Sequence, residues 1–341
     1  LVLFTKKRET MVRAGLPVLE TLALISDQIE HKAMKIVTEE IRKDVEAGTP
    51  LSDSFAKHPQ VFDNVYINLL RAGETAGKLD LFLAKLVLGI EKSQKIRTDI
   101  KKAMMYPTIL LIVAVIVIAI MMIFVVPVFQ SIFEGVPGGL PVATRAVVAI
   151  SDFLRNPLGG GVLLVGIVGT IVFLRIMIAG SYRFRRVFHR FILTMPLVGE
   201  LVRRSALAKI SMIQGNLAAA GVPVLEALDI SSSAVNNVVI QEATTEIKRG
   251  VFSGEPLSEL FRKIPKIFPP TFSSMISVGE KTGNMEEMYE AISSYYEEEM
   301  DTTIERLTGM LEPIMIVFMG GTIGFILVAM YTPMFQVGQT L

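Results

Sequence analysis

Long uncharged runs interrupt a chain that is otherwise dotted with charge. No Asp, Glu, Lys or Arg occurs from Tyr106 to Phe133, and none occurs from Pro313 to the final Leu341. Each run exceeds the roughly 20 apolar residues that a helix needs to cross a bilayer core. Pro107 and Pro127 bracket the first and Pro313 and Pro333 the last, each pair 20 residues apart (127−107 and 333−313), or about 30 Å of helix. A proline in the first helical turn removes only an amide hydrogen that has no partner there, so Pro107 and Pro313 are expected to open their spans. A middle run from Pro157 to Ala179 is uncharged as far as Leu174 and then meets Arg175, which can snorkel to the interface. Outside these runs Gly15 and Gly48 suit helix C-termini, and Pro17 and Pro50 suit the first turns that follow. Leu79, Phe82, Leu83, Leu86 and Ile90 fall on one helix face, and the pattern continues toward the first span. The last helix of the soluble part is therefore expected to run into the membrane.

The pattern is written twice. AGLPVLE at Ala14 returns as AGVPVLE at Ala220, a displacement of 206 residues (220−14). The same displacement superposes Gly48, Pro50, Leu51, Ser52 and Phe55 on Gly254, Pro256, Leu257, Ser258 and Phe261, and Pro59 and Phe62 on Pro265 and Phe268. It also superposes Gly73, Glu74 and Gly77 on Gly279, Glu280 and Gly283, Pro107 on Pro313, and Pro127, Phe129 and Gln130 on Pro333, Phe335 and Gln336. No gap is needed, so residues 1–135 repeat as 207–341.

Basic residues flanking a span stay on the cytoplasmic side. Lys95, Arg97, Lys101 and Lys102 precede the first span, and Arg175, Arg183, Arg185, Arg186 and Arg190 follow the middle one. The stretch between those spans holds only Arg145 and Arg155, and the tail holds none. Both copies thus enter the lipid in the same direction, and the middle span carries the chain back. The expected organisation is a cytoplasmic helical bundle at 1–105, spans at 106–130, 157–179 and 312–334, a periplasmic loop at 131–156, a basic linker at 180–206, a second bundle at 207–311 and a periplasmic tail at 335–341. The fold class is all-α integral membrane, with about six helices per bundle, each bundle large enough for its own core. The parallel sense differs from the inverted repeats of many transporters.

Composition agrees and narrows the chemistry. Half the residues are hydrophobic (51%) while 20% remain charged, so spans and soluble domains coexist. The 34 basic and 33 acidic residues leave a charge of +1, which offers nucleic acid no net field. No cysteine is present, which removes disulfides, thiolate nucleophiles and thiolate metal sites. The chain opens on LVLFTKK with neither an initiator Met nor a signal-peptide cleavage site, so a leading segment is expected ahead of it.

Candidate sites mostly dissolve on inspection. RAGETAGKLD approaches a phosphate-binding loop, but Gly73 and Gly77 enclose three residues rather than four, Leu79 stands where magnesium needs Ser or Thr, and the second copy has Asn284 for the lysine. The Gly-Glu-x-x-Gly pairs are read instead as interhelical turns. His31, His58 and His189 share no metal-binding spacing. Glu20 and Glu226 stand near helix starts, where the dipole favours a carboxylate. Gly320, Gly321 and Gly324 form a small-residue stripe suited to close packing, and no ionisable group lies mid-span, which weighs against a proton or ion pathway. The helix ahead of the last span carries Glu286, Glu287, Glu290, Glu297, Glu298, Glu299 and Asp301 where copy one mixes Asp80, Lys85, Glu91, Lys92 and Lys95. That face is a solvated surface or a dock for a basic partner. The arginines from Arg183 to Arg204 suit topology and anionic headgroups.

The AGxPVLE motif (Ala14, Gly15, Pro17, Glu20; Ala220, Gly221, Pro223, Glu226) paired with Gly-Glu-x-x-Gly (Gly73, Glu74, Gly77; Gly279, Glu280, Gly283), twice, each ahead of a proline-bounded span, resembles the inner-membrane platform proteins of type IV pilus assembly and type II secretion. The resemblance covers nearly all 341 residues. It implies a multi-pass protein of the bacterial inner membrane, without enzymatic activity or cofactor, whose cytoplasmic bundles contact a hexameric assembly ATPase in trans. It implies further contacts with pilins or pseudopilins, other inner-membrane assembly proteins, lipid and further copies of itself, and an additional N-terminal cytoplasmic segment. The motif residues are then structural or partner contacts. The competing classes are a small-solute transporter or channel component, which the uncharged spans disfavour, and a sensor or enzyme, for which no catalytic constellation exists.

Overall fold

The computed structural model describes residues 1–133 and 141–337, and every regular element among them is helical. Residues 134–140 of the expected loop and 338–341 of the expected tail lie outside the described residues. The first copy forms α1 (Val2–Arg13), α2 (Val18–Gln28), α3 (Lys32–Glu46), α4 (Leu51–Ala56), α5 (Asn64–Ala76) and the long α6 (Leu79–Ile120). A π-helical turn (Met121–Val125) and α7 (Val126–Phe133) follow, then α8 (Val142–Arg155), α9 (Pro157–Gly180) and α10 (Tyr182–Thr194). The second copy is α11 (Val198–Ala219), α12 (Val224–Ser233), α13 (Val238–Phe252), α14 (Leu257–Arg262), α15 (Pro270–Thr282) and α16 (Met285–Val337).

The helix boundaries have local causes. Gly15 (φ 86°) and Gly221 (φ 71°) take the left-handed conformation, and the following amides reach back, Leu16 to the Met11 carbonyl (3.1 Å) and Val222 to that of Leu217 (3.0 Å). Pro17, Pro50, Pro223 and Pro256 then stand as N-caps of α2, α4, α12 and α14. Asp63 caps α5 by accepting the Tyr66 amide at 2.9 Å, and His31 caps α3 by accepting that of Met34 at 3.3 Å.

The chain divides into two compact units. One contains Leu1–Asp99 and Arg186–Thr303, the other Ile100–Arg185 and Ile304–Leu341. In the first unit the duplicated core is visible ring by ring. Phe55 and Phe62 meet edge to face at 4.5 Å with Tyr66 at 4.9 Å from Phe62, and the equivalent Phe261, Phe268 and Phe272 stand at 4.6 and 5.3 Å. The cores are not independent as expected, for Ile213, Leu217, Ala227 and Ile230 of copy two are buried in the core of copy one. Sequence periodicity shows that a face is apolar but not which element covers it. The segment expected as a linker at 180–206 is helical through most of its length, in α10 and the start of α11.

In the second unit, two helical stretches are long and apolar enough to cross a membrane, Leu79–Ile132 and Met285–Pro333, both of which begin in the first unit; α9 contributes a shorter apolar stretch, Val168–Gly180. Neither Pro107 nor Pro313 stands in the first turn of its helix, contrary to expectation. Both lie inside continuous helices that start 28 residues earlier (107−79 and 313−285). One missing amide leaves a single carbonyl open, whereas a helix break would leave several backbone groups without partners.

The stretch expected as a loop contains α8, which is packed within this unit. Val147 and Val148 are buried with Met122, Val126, Ile326, Ala329 and Met330. In the π register the Val126 amide donates to the Met121 carbonyl, so the Met122 carbonyl would take its donor from residue 127, which is proline. The Ser151 hydroxyl on α8 donates to Met122 instead. In copy two Pro333 withholds the amide that would reach the Ala329 carbonyl four residues back, and the Thr144 hydroxyl on α8 donates there. Both hydroxyl-bearing residues are fully buried. One helix thus satisfies the carbonyl left open by the second proline of each homologous apolar stretch.

Candidate functional site

The motif residues gather in the first unit at two equivalent corners. In copy one α5 ends at Gly77 (φ 65°), and the Glu74 side chain, one turn earlier, reaches the start of α4. Its carboxylate accepts the Leu51 amide at 2.6 Å, the Ser52 amide at 3.0 Å and the Ser52 hydroxyl at 2.7 Å. In copy two Glu280 accepts the Leu257 amide at 2.6 Å and the Ser258 amide at 3.2 Å. Pro50 and Pro256 have no side-chain cap of their own, so the distant glutamate fills that role with a full charge at the positive end of the helix.

The first glycine of each motif does not turn the chain, contrary to its reading as an interhelical turn. Gly73 lies within α5, where an added Cβ would stand 2.8 Å from Cβ of Phe82 on α6. Gly279 lies within α15 against Met285 and Met288 of α16. These glycines let two helices approach, while Gly77 and Gly283 (φ 74°) make the turn. Spacing alone does not distinguish the two uses.

AGxPVLE forms the other corner. Ala14 and Ala220 cap the ends of α1 and α11, and Gly15 and Gly221 reverse the chain. Pro17, Glu20, Pro223 and Glu226 are exposed on the opening turns of α2 and α12. Of the span prolines, Pro127 sits in the first turn of α7 and Pro107, Pro313 and Pro333 lie inside helices.

The charge asymmetry between the copies has an internal explanation. Lys85 on α6 pairs with Glu286 on α16 at 2.8 Å, and Lys92 pairs with Glu297 at 3.0 Å. Arg204 on α11 reaches Glu299 at 2.9 Å. Part of the acidic face therefore meets the basic residues of copy one and of α11 within this chain, while Glu290 and Glu298 remain exposed. Of the arginine run, Arg186 is paired with Glu242 at 2.8 Å and Arg203 donates to the Lys266 carbonyl at 3.2 Å.

Two features carried no sequence signal. Arg8 is wholly buried, with its guanidinium 4.6 Å from the Phe55 ring centroid and one nitrogen 3.4 Å from the Tyr66 hydroxyl. Burial lowers the Arg8 pKa and raises that of Tyr66. Copy two holds Gln214 at the equivalent position, bonded to Ser231 at 3.0 Å. A cleft of about 330 Å³ runs beside α6 and α11, lined by Asp63, Lys85, Arg97 and Lys209 among others. Burial pulls the Lys209 pKa down, opposed by Asp63. The histidines serve locally, His189 accepting the Val238 amide at 3.0 Å. Of the motif carboxylates, Glu74 and Glu280 are thus engaged in holding helices at fixed spacing, while Glu20 and Glu226 are exposed.

Comparison with known proteins bears on what that scaffold serves. The family model for type II secretion system (T2SS), protein F matches twice, over residues 9–127 and 215–333, at the same 206-residue displacement (215−9). The type IV pilus assembly protein PilC of Pseudomonas aeruginosa is 37% identical over 341 residues, covering 100% of this chain and 90% of that protein. PilC of Thermus thermophilus is 36% identical, covering 100% and 83%. The type II secretion system protein F of Aeromonas hydrophila is 31% identical over 343 residues, covering 99% and 86%.

Proposed function

We propose, from the premise that this chain belongs to the type II secretion system protein F family, that it is the inner-membrane platform of a fibre-building machine, coupling a hexameric cytoplasmic ATPase to the assembly of pilins or pseudopilins. The observation that carries this reading is the pair of unbroken helices. In α6, Phe82, Leu83 and Leu86 are buried in the bundle core, and the same helix continues through the uncharged run after Tyr106. In α16, Tyr289, Ile292 and Tyr296 are buried likewise ahead of the run from Pro313. A continuous helix transmits displacement along its axis, so a movement imposed on the bundles reaches the membrane.

In this reading α9 is the third span, both bundles are cytoplasmic and the carboxyl end is periplasmic. The glutamates at 74 and 280 and the glycines at 73, 77, 279 and 283 hold the scaffold, and the exposed turns Pro17–Glu20 and Pro223–Glu226 face partners. The higher identities to pilus assembly proteins than to the secretion protein favour a pilus over a secretion system.

A Gly-Gly insertion at Ile100 tests the coupling in cells. The altered chain is expected to stay in the membrane and co-purify with the ATPase while surface fibres disappear; normal fibres would refute transmission through α6. Reporter fusions that place the carboxyl end in the cytoplasm would refute the topology. Ligand-dependent flux through the purified protein would favour a transporter instead.

A further inference from the structure

α10 follows α9 after a single residue, Ser181. One side of α10 is held by the second bundle. Arg186 donates to Glu242 at 2.8 Å, the Val238 amide donates to Nδ1 of His189 at 3.0 Å, and Leu193 packs on the core. The opposite side carries Val187 and Phe191, one turn apart, and Met195 continues the row just past the helix end; they are 68%, 61% and 39% exposed. Arg183 and Arg190, two turns apart, border one edge of this row, exposed and without an ion-pair partner among the described residues. The Arg185 guanidinium lies 5.7 Å from the centroid of Tyr182. α10 contains no acidic residue, so no charge on the helix opposes its four arginines.

An apolar stripe bordered by arginines is the pattern of a helix lying in the boundary between headgroups and acyl chains. We propose that α10 occupies that boundary in the leaflet from which α9 emerges, with Val187 and Phe191 against acyl chains and Arg183 and Arg190 on anionic headgroup phosphates. Two observations commit the occupant to lipid. The arginines offer charge complementarity to an anionic leaflet, and the apolar stretch Val168–Gly180 ends just two residues before Tyr182. The arrangement gives the second bundle a lipid contact of its own through Glu242 and His189. It rests on the reading of α9 as a span.

The absence of cysteine makes the test direct. Spin labels are placed through Val187→Cys, Phe191→Cys, Val172→Cys on α9, and Phe252→Cys, a residue 82% exposed at the end of α13. The full chain is reconstituted in nanodiscs containing phosphatidylglycerol, and collisions with oxygen and with a water-soluble nickel chelate are measured. Labels at 172, 187 and 191 are expected to meet oxygen and exclude nickel, with the reverse at 252. The oxygen-to-nickel contrast at 191 should fall at least twofold in pure phosphatidylcholine and also on adding Arg190→Gln. A label at 191 that behaves like 252 while 172 stays in hydrocarbon overturns the proposal and leaves the α9 span standing. Water contact at both 172 and 191 overturns both. Exclusion of both reagents at 191 shows a protein-covered stripe, and equal contrast in the two lipids removes the headgroup role; either result overturns the assignment.

Discussion

Removing the Ser151 hydroxyl puts the proline-carbonyl arrangement to its hardest test. Ser151→Ala leaves the Met122 carbonyl without its donor while changing almost no volume. A buried orphan acceptor costs about 1–3 kcal/mol, whereas hydrogen bonds between membrane helices average about 0.6 kcal/mol with a maximum near 1.7. Ser151 is fully buried, so a loss of about 1–2 kcal/mol is expected. Thr144→Val, which keeps the shape and drops the hydroxyl facing Ala329, should cost a similar amount. The two positions are seven residues apart on α8, about 10 Å along the helix, and their costs should add within about 0.5 kcal/mol. The discriminating variant is Pro127→Ala. It restores an amide at residue 127, so the Met122 carbonyl regains a backbone donor whether the turn stays π-helical or relaxes to α. In that background Ser151→Ala should lose most of its effect, a coupling of about 1 kcal/mol. The measurement is a reversible SDS titration in mixed micelles followed by far-UV circular dichroism. An unchanged cost of Ser151→Ala in the Pro127→Ala protein would show that the hydroxyl is not replacing the missing amide, and the account given for α8 would fail.

Three further outcomes are expected. Glu74→Ala should destabilise the bundles by about 1–3 kcal/mol in thermal unfolding and more than Glu280→Ala, because Glu74 accepts three hydrogen bonds and Glu280 two; equal costs would refute the capping comparison. Gly73→Ala should cost about 1–3 kcal/mol, since its new Cβ meets Phe82 at Cβ, whereas Gly279→Ala meets first the movable sulfur of Met285 and only then the Met288 stem, and should cost less; the reverse order would refute the close-approach account. Tyr296 is buried, and its pKa is raised to about 12 from 10.0, chiefly by desolvation. The unfolded chain therefore loses this proton at lower pH than the folded one, so the stability is complete below pH 10 and declines as pH rises toward 12, by at most about 1.4 kcal/mol per unit. Tyr296→Phe should flatten that decline in alkaline denaturation, and identical profiles would show that the hydroxyl does not titrate on unfolding.

The duplication, the helical class and the two long apolar helical stretches were legible because each rests on local chemistry. A charge-free run of membrane length, a glycine forced to positive φ and a hydrophobic spacing of three and four are properties of neighbouring residues. The 206-residue displacement made them visible twice, and both the family match and the paired phenylalanine clusters keep it. The turn role of Gly77 and Gly283 was legible for the same reason.

The rest depends on partners distant in sequence. Whether Gly73 turns the chain or admits a neighbour depends on where Phe82 lies. The carboxylate of Glu74 sits at the start of α4 because the bundle brings residues 22 and 23 positions apart into contact. The opposite charges that distinguish the copies become explicable once α6 and α16 lie side by side with Lys85 on Glu286. Likewise α8 passed for a loop because its buried face is narrow and its hydroxyls look solvent-seeking until the carbonyls freed by Pro127 and Pro333 stand opposite them. Local sequence determined which groups could not be satisfied where they stand, and tertiary packing decided what satisfies them, because a buried polar group must find its partner wherever the fold brings one.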